Sequence, residues 1–112
     1  MDDDDDLLAE FQREFADRLD QDGAAIAMLR HSLGGAPDPA APAWVALASI
    51  AHRLTGRGQT LGHETISTVA RRVETLANGT APEGLADAAT LDPAVQTLLN
   101  AMAAVSAEIR GA

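Results

Sequence analysis

The chain is 112 residues long and 46% apolar, enough to close one core and too little for two, which excludes a multidomain enzyme. Aromatics are only 3% (Phe11, Phe15 and Trp44, with no tyrosine), so the core falls to Leu, Ile, Val, Met and Ala, a helical composition; the lack of cysteine excludes a disulfide scaffold, a thiol nucleophile and a zinc site of the cysteine type. Eight basic residues, all arginine, stand against seventeen acids for a net charge of −9, the wrong sign for nucleic acid or an anionic membrane surface.

Residues 1–6 read as an acidic, disordered leader whose carboxylates favour the positive end of a following helix, and residues 7–112 as one helical domain. From Leu7 the apolar residues Leu8, Phe11, Phe15 and Leu19 recur at the three- and four-residue spacing of one buried stripe. Asp22-Gly23 interrupts it; Ile26, Met28, Leu29 and Leu33 resume it as a second helix or a kinked continuation, which Gly34-Gly35 ends. Three prolines in residues 36–42 make a turn, and Asp38-Pro39 offers a cap and a proline start for a helix beginning near residues 39–42. The longest apolar run, residues 40–51, is broken by Pro42 and falls short of the roughly 20 residues a bilayer span needs. With an acidic rather than basic N-terminus, no signal peptide is expected, and the protein is expected in the cytoplasm.

The helix carrying Trp44, Leu47, Ala51 and Leu54 is expected to run to about Gly58 or Leu61, closed by Gly62. Ile66, Val69, Ala70, Val73, Leu76 and Ala77 mark the next, with Asn78-Gly79 as a left-handed stop. Residues 80–90 read as a loop with at most one helical turn, after which Asp92-Pro93 repeats the cap-plus-proline start. Val95, Leu98, Leu99, Met102, Val105 and Ile109 then give the cleanest amphipathic pattern in the chain. No such helix buries its stripe alone, so the expected fold is all-α: an antiparallel up-and-down four-helix bundle with an additional N-terminal helix or helical segment.

One segment breaks the pattern. On a helical wheel the large apolar residues of 44–61 lie on one side and His52 on the other, beside Ala48, Ser49, Thr55, Gly56 and Gln59, all small or uncharged. An exposed, uncrowded imidazole is the result. Gly56 and Gly58 each cost a helix about 1 kcal/mol relative to alanine, and the physical use of glycine near a reactive group is to let another backbone approach. Residues 52–74 hold Arg53, Arg57, Arg71 and Arg72 against Glu64 and Glu74, a net of +2 that leaves −11 elsewhere, so positive charge gathers around His52. The wheel turns Arg57 and Arg72 towards other flanks and leaves Arg53 and Arg71 as the better candidates for contact with an anionic partner. His31 and His63 sit at helix ends and carry no assignment; the eleven residues from His52 to His63 match no helical metal-ligand spacing, so no metal site is expected. No phosphate loop, kinase glycine-rich segment or serine elbow is present to bind ATP or start phosphorylation.

The string Ala51-His52-Arg53-Leu54-Thr55-Gly56, followed by Gly58 and Leu61-Gly62, resembles the signature of histidine-containing phosphotransfer (Hpt) domains, commonly AHxLKG followed by small residues and another glycine. The resemblance implies that His52 is a phosphoacceptor, relaying a phosphoryl group between aspartates of response-regulator receiver domains; a neutral imidazole offers a nitrogen lone pair without first needing a base. It further implies that Glu74, twenty-two positions on, holds the inner ring nitrogen and leaves the outer one free. Arg53, Thr55, Gly56, Gln59 and Arg71 would then form the docking surface and phosphoryl environment, with Thr55 departing from the family's usual lysine. The implied partners are receivers and a hybrid sensor histidine kinase, with magnesium supplied by the receiver, no cofactor on this chain, and the chain a monomer. The alternative is a degenerate Hpt fold that docks receivers or a kinase without accepting phosphate.

Overall fold

A computed structural model describes residues 3–111. Four helices carry the chain: α1 (Asp3–Leu29), α2 (Pro42–Thr60), α3 (Glu64–Asn78) and α4 (Ala88–Gly111), with one 3-10 turn, Arg30–Ser32, after α1. Neighbours run antiparallel. Gln12 of α1 meets Leu61 past the end of α2, His52 of α2 meets Glu74 of α3, Arg30 just past α1 pairs with Asp92 near the start of α4, and Arg110 at the end of α4 pairs with Asp17 and Asp20 midway along α1. The expected bundle is present, and the additional N-terminal segment is the first half of one continuous α1.

Two expectations about α1 are corrected. Residues 3–6 are not a disordered leader but form its first turn, a place in a helix that favours negative charge; residues 1 and 2 lie outside the described residues. Asp22-Gly23 does not break the helix, because its flanking stripe residues Leu19 and Ile26 are both fully buried and packing outweighs the propensity cost of one glycine. The stripe itself is buried only in part: Phe15 and Leu19 are inside, whereas Leu7, Leu8 and Phe11 are exposed, as is Met28. Gln12 Nε2 donates to the Leu61 carbonyl, so everything before it in α1 projects past the α2–α3 turn and has no helix of that pair to cover it.

Helix α2 begins at Pro42, the last of the expected starts, with Asp38 closing a turn ahead of it through bonds from the amides of Ala40 and Ala41. Its end is a Schellman motif: Gly62 has φ +80°, the His63 amide donates to the Gly58 carbonyl at 2.7 Å, and the Gly62 amide to Gln59. Gly79, φ +79°, ends α3 in the same way, as the Asn78-Gly79 pair predicts. Helix α4 starts five residues before the expected Asp92-Pro93. Asp87 is the cap, its carboxylate accepting from the Thr90 amide at 2.9 Å; the earlier start brings Leu91 into the core and frees Asp92 to pair with Arg30, so Pro93 lies inside the helix. The core joins all four helices around Leu19, Ile26, Leu47, Leu54, Ile66, Val73, Leu98 and Met102. Among the described residues, no helix is long and apolar enough to cross a membrane.

Candidate functional site

The site is built on the contact between α2 and α3. Ala51 and Leu54 bury one face of α2, and that anchoring turns His52, between them in sequence, outward: its side chain is 75% exposed. Nδ1 lies 2.8 Å from Oε2 of Glu74, whose own side chain is only 21% exposed on α3. A carboxylate can only accept, so in the neutral ring Nδ1 carries the hydrogen and Nε2 keeps its lone pair, pointing away from Glu74 into open space.

Two further contacts keep α2 against α3. Gly58 sits where an added Cβ would come 3.0 Å from the His63 carbonyl oxygen and 3.1 Å from the Ser67 amide nitrogen, so the backbone it admits is that of its own neighbour, α3. Gly56 differs: an added Cβ there would meet nothing within 4 Å, and this glycine faces outward beside His52. Thr55 is buried at 7% exposure. Its hydroxyl donates to the Ala51 carbonyl, and its own carbonyl accepts from the Ser67 hydroxyl. The expected docking role of Thr55 is therefore corrected: the residue is short enough to be closed over by α3 and presents nothing to a partner.

On the opposite flank α1 approaches α2 loosely and leaves a groove. His52, Arg53, Gly56 and Arg57 line it from α2, and Phe11, Glu14, Phe15 and Arg18 from α1. Arg53 is exposed and, among the described residues, bonded only to Ser49 Oγ at 3.4 Å. Gln59 is exposed near the end of α2, bordering a separate recess with Gly62 and Glu64. Arg71 is exposed on α3 one turn before Glu74, outside the groove, while Arg72 is taken up by Glu83 and pulls that carboxyl down to about 2. The structure thus brings His52 and Glu74 together with Arg53 and Gly56 beside them, closes Thr55 off, and adds Arg18 and Phe11, which carried no assignment, to the groove. Arg57, turned towards another flank by the wheel, also lines it, because α1 arrives on that side.

Asp22 lies beneath this cluster, 6% exposed, in line with Phe15, Leu19 and Ile26 on the buried stripe of α1. Burial pushes its carboxyl up, against the pull of Arg53, Arg18 and Arg57, and its Oδ2 has no hydrogen-bond partner. His63, at the α2–α3 turn, stacks on Phe15 at 5.2 Å and holds Gln12 Oε1 through Nε2 at 2.7 Å, fastening α1 to the turn below the groove. Among the described residues no group of three His, Asp or Glu side chains is arranged to hold a metal ion.

Comparison with known proteins adds one finding. The family model of the Hpt domain matches residues 6–108, nearly the whole chain. No curated protein and no solved structure matches the chain significantly.

Proposed function

Because the chain belongs to the Hpt domain family, whose role is histidine phosphotransfer in phosphorelays, we propose that it relays a phosphoryl group between receiver-domain aspartates through His52. The observation that carries this reading is the imidazole itself: 75% exposed, with Nδ1 tied at 2.8 Å to Glu74 and Nε2 free. The Nε2 lone pair forms the N–P bond while the P–O bond to the donor aspartate breaks, its electron pair leaving with the carboxylate. No proton has to move. The ring becomes cationic with Nδ1–H still in place, and the Glu74 carboxylate opposes that charge through a charge-assisted hydrogen bond. Transfer to an acceptor aspartate reverses these steps. Phosphoryl transfer rests chiefly on alignment and charge stabilisation, so a rigid helix presenting one oriented imidazole suffices on this side, with the receiver supplying magnesium. Arg53 and Gly56 beside His52, with Gln59 further along α2 and Arg71 on α3, are exposed and form the docking surface for receivers and for a hybrid sensor kinase, with the chain acting as a cytoplasmic monomer.

Incubation with a phosphorylated receiver tests the assignment. Acid-labile label appears on the wild type and disappears in His52→Gln; label persisting in that variant overturns the assignment. A second reading draws on buried Thr55, which places no cation beside His52: a binding module that docks receivers or a kinase without accepting phosphate. It predicts an unlabelled wild type whose receiver binding survives His52→Ala.

A further inference from the structure

A phosphoryl group on Nε2 brings up to two negative charges next to a ring already hydrogen-bonded to a carboxylate. The α3 flank offers little to offset this: Glu74 is itself a carboxylate, Thr55 of α2 is closed over by α3, and Arg71, exposed on α3, lies outside the groove that His52 lines. Cations inside that groove are better placed to balance the charge. Arg30, Arg72 and Arg110 are each neutralised by carboxylates at 2.5–2.9 Å and lie away from the groove. Among the described residues Arg18, Arg53 and Arg57 form no such ion pair, and all three line the groove that His52 lines, where Glu14 is the one carboxylate of the described lining. Nη1 of Arg57 is buried with no hydrogen-bond partner among the described residues, a donor whose desolvation has cost free energy without return in the unphosphorylated chain. Asp22 is buried close enough for its charge to be felt by all three guanidiniums yet bonds to none, so it offsets their mutual repulsion without occupying their donors.

We propose that Arg57 and Arg53 of α2, with Arg18 of α1, form an oxyanion site that holds the phosphoryl oxygens on His52, the groove supplying the positive charge that position 55 does not. Planar guanidiniums suit this ligand because each can give two donors to a phosphoryl group. The site rests on the phosphoacceptor reading of His52 and goes beyond it by assigning the cations to the α1 flank.

Phosphoramidate is a suitable probe, because Nε2 attacks its phosphorus and ammonia leaves, with no receiver present to contribute charge of its own. The phosphorylated chain is then followed by phosphorus NMR as pH is varied. A cation within reach favours the doubly charged phosphoryl form, so the group titrates lower in the wild type, and its midpoint rises by about half a unit in Arg57→Ala or Arg53→Ala and about one unit in the double variant. Arg57→Lys retains most of the wild-type midpoint, and Arg30→Ala, at the far end of α1, leaves it unmoved. Phosphoryl transfer to a receiver slows about tenfold in the double variant, while thermal unfolding of each variant confirms an intact bundle. A wild type that takes no label on His52 overturns the phosphoacceptor reading and this inference with it. A labelled wild type whose midpoint is the same in Arg57→Ala, Arg53→Ala and the double variant overturns the oxyanion site alone.

Discussion

The two flanks of His52 are built to opposite designs. Towards α3 the helices are in close contact: Gly58 lets the backbone of His63 and Ser67 approach more closely than most side chains tolerate, Thr55 is sealed in, and Glu74 grips the inner ring nitrogen. Towards α1 the surface is open and lined by Phe11, by three arginines, Arg18, Arg53 and Arg57, and by one carboxylate, Glu14, with α1 fastened to the turn through Gln12 and the stack of Phe15 on His63. The contrast separates two demands that one surface meets poorly. A nucleophile needs a rigid orientation, which close packing provides, while a bulky, charged incoming group needs room and counter-charge, which close packing denies.

The sharpest way to break this division is at Glu74. Glu74→Ala removes a hydrogen bond to a ring that becomes charged, worth about 1.5–3 kcal/mol, so transfer from a receiver slows by about tenfold to a hundredfold, with Glu74→Gln falling between. Wild-type rates in Glu74→Ala would show that the closed flank does not orient the ring. Next is Gly58→Ala, whose methyl group collides with backbone rather than a flexible side chain; chemical denaturation is expected to show a loss of about 2 kcal/mol. Asp22→Asn probes the open flank. Burial holds the Asp22 carboxyl above its ordinary value of 3.8, so this group favours the fold while protonated, and that contribution disappears as pH rises through the raised value. At neutral pH the asparagine variant is therefore the more stable, an advantage that shrinks as pH falls through the raised value and is read from unfolding midpoints across that range. The smallest effect is that of Gly56→Ala, which gains about 0.5–1 kcal/mol of stability because helix propensity improves and nothing obstructs the methyl group. The same variant binds receivers more weakly if the partner comes close at this point, a difference titration calorimetry resolves.

Much of the closed flank was legible in the sequence, because its determinants are local or periodic. The 3.6-residue repeat buried Ala51 and Leu54 and turned His52 outward, and the Gly62 and Gly79 stops fixed where α2 and α3 end. The open flank was not, because it exists only where α1 arrives. Phe11 belongs to the same stripe as Phe15, and periodicity cannot say that the neighbouring pair of helices ends at Leu61 and leaves Phe11 46% exposed. Arg57 looked remote from His52 on a wheel of α2 alone; the groove they share is set by the second helix. The start of α4 failed for another reason. Asp87 and Asp92 offer equivalent caps, and the choice between them is made by the burial of Leu91 and the pairing of Asp92 with Arg30, both tertiary events.

Trp44 is the single tryptophan of a chain without tyrosine, 2% exposed on α2 and eight residues before His52, about 12 Å along the helix. Its emission is therefore a private optical channel for the helix that carries His52. Quenchers in solution cannot reach the indole while the bundle is intact, so a red shift signals melting of the whole fold, whereas binding at the groove leaves the spectrum still. Stability and docking can be followed in one cuvette without a dye.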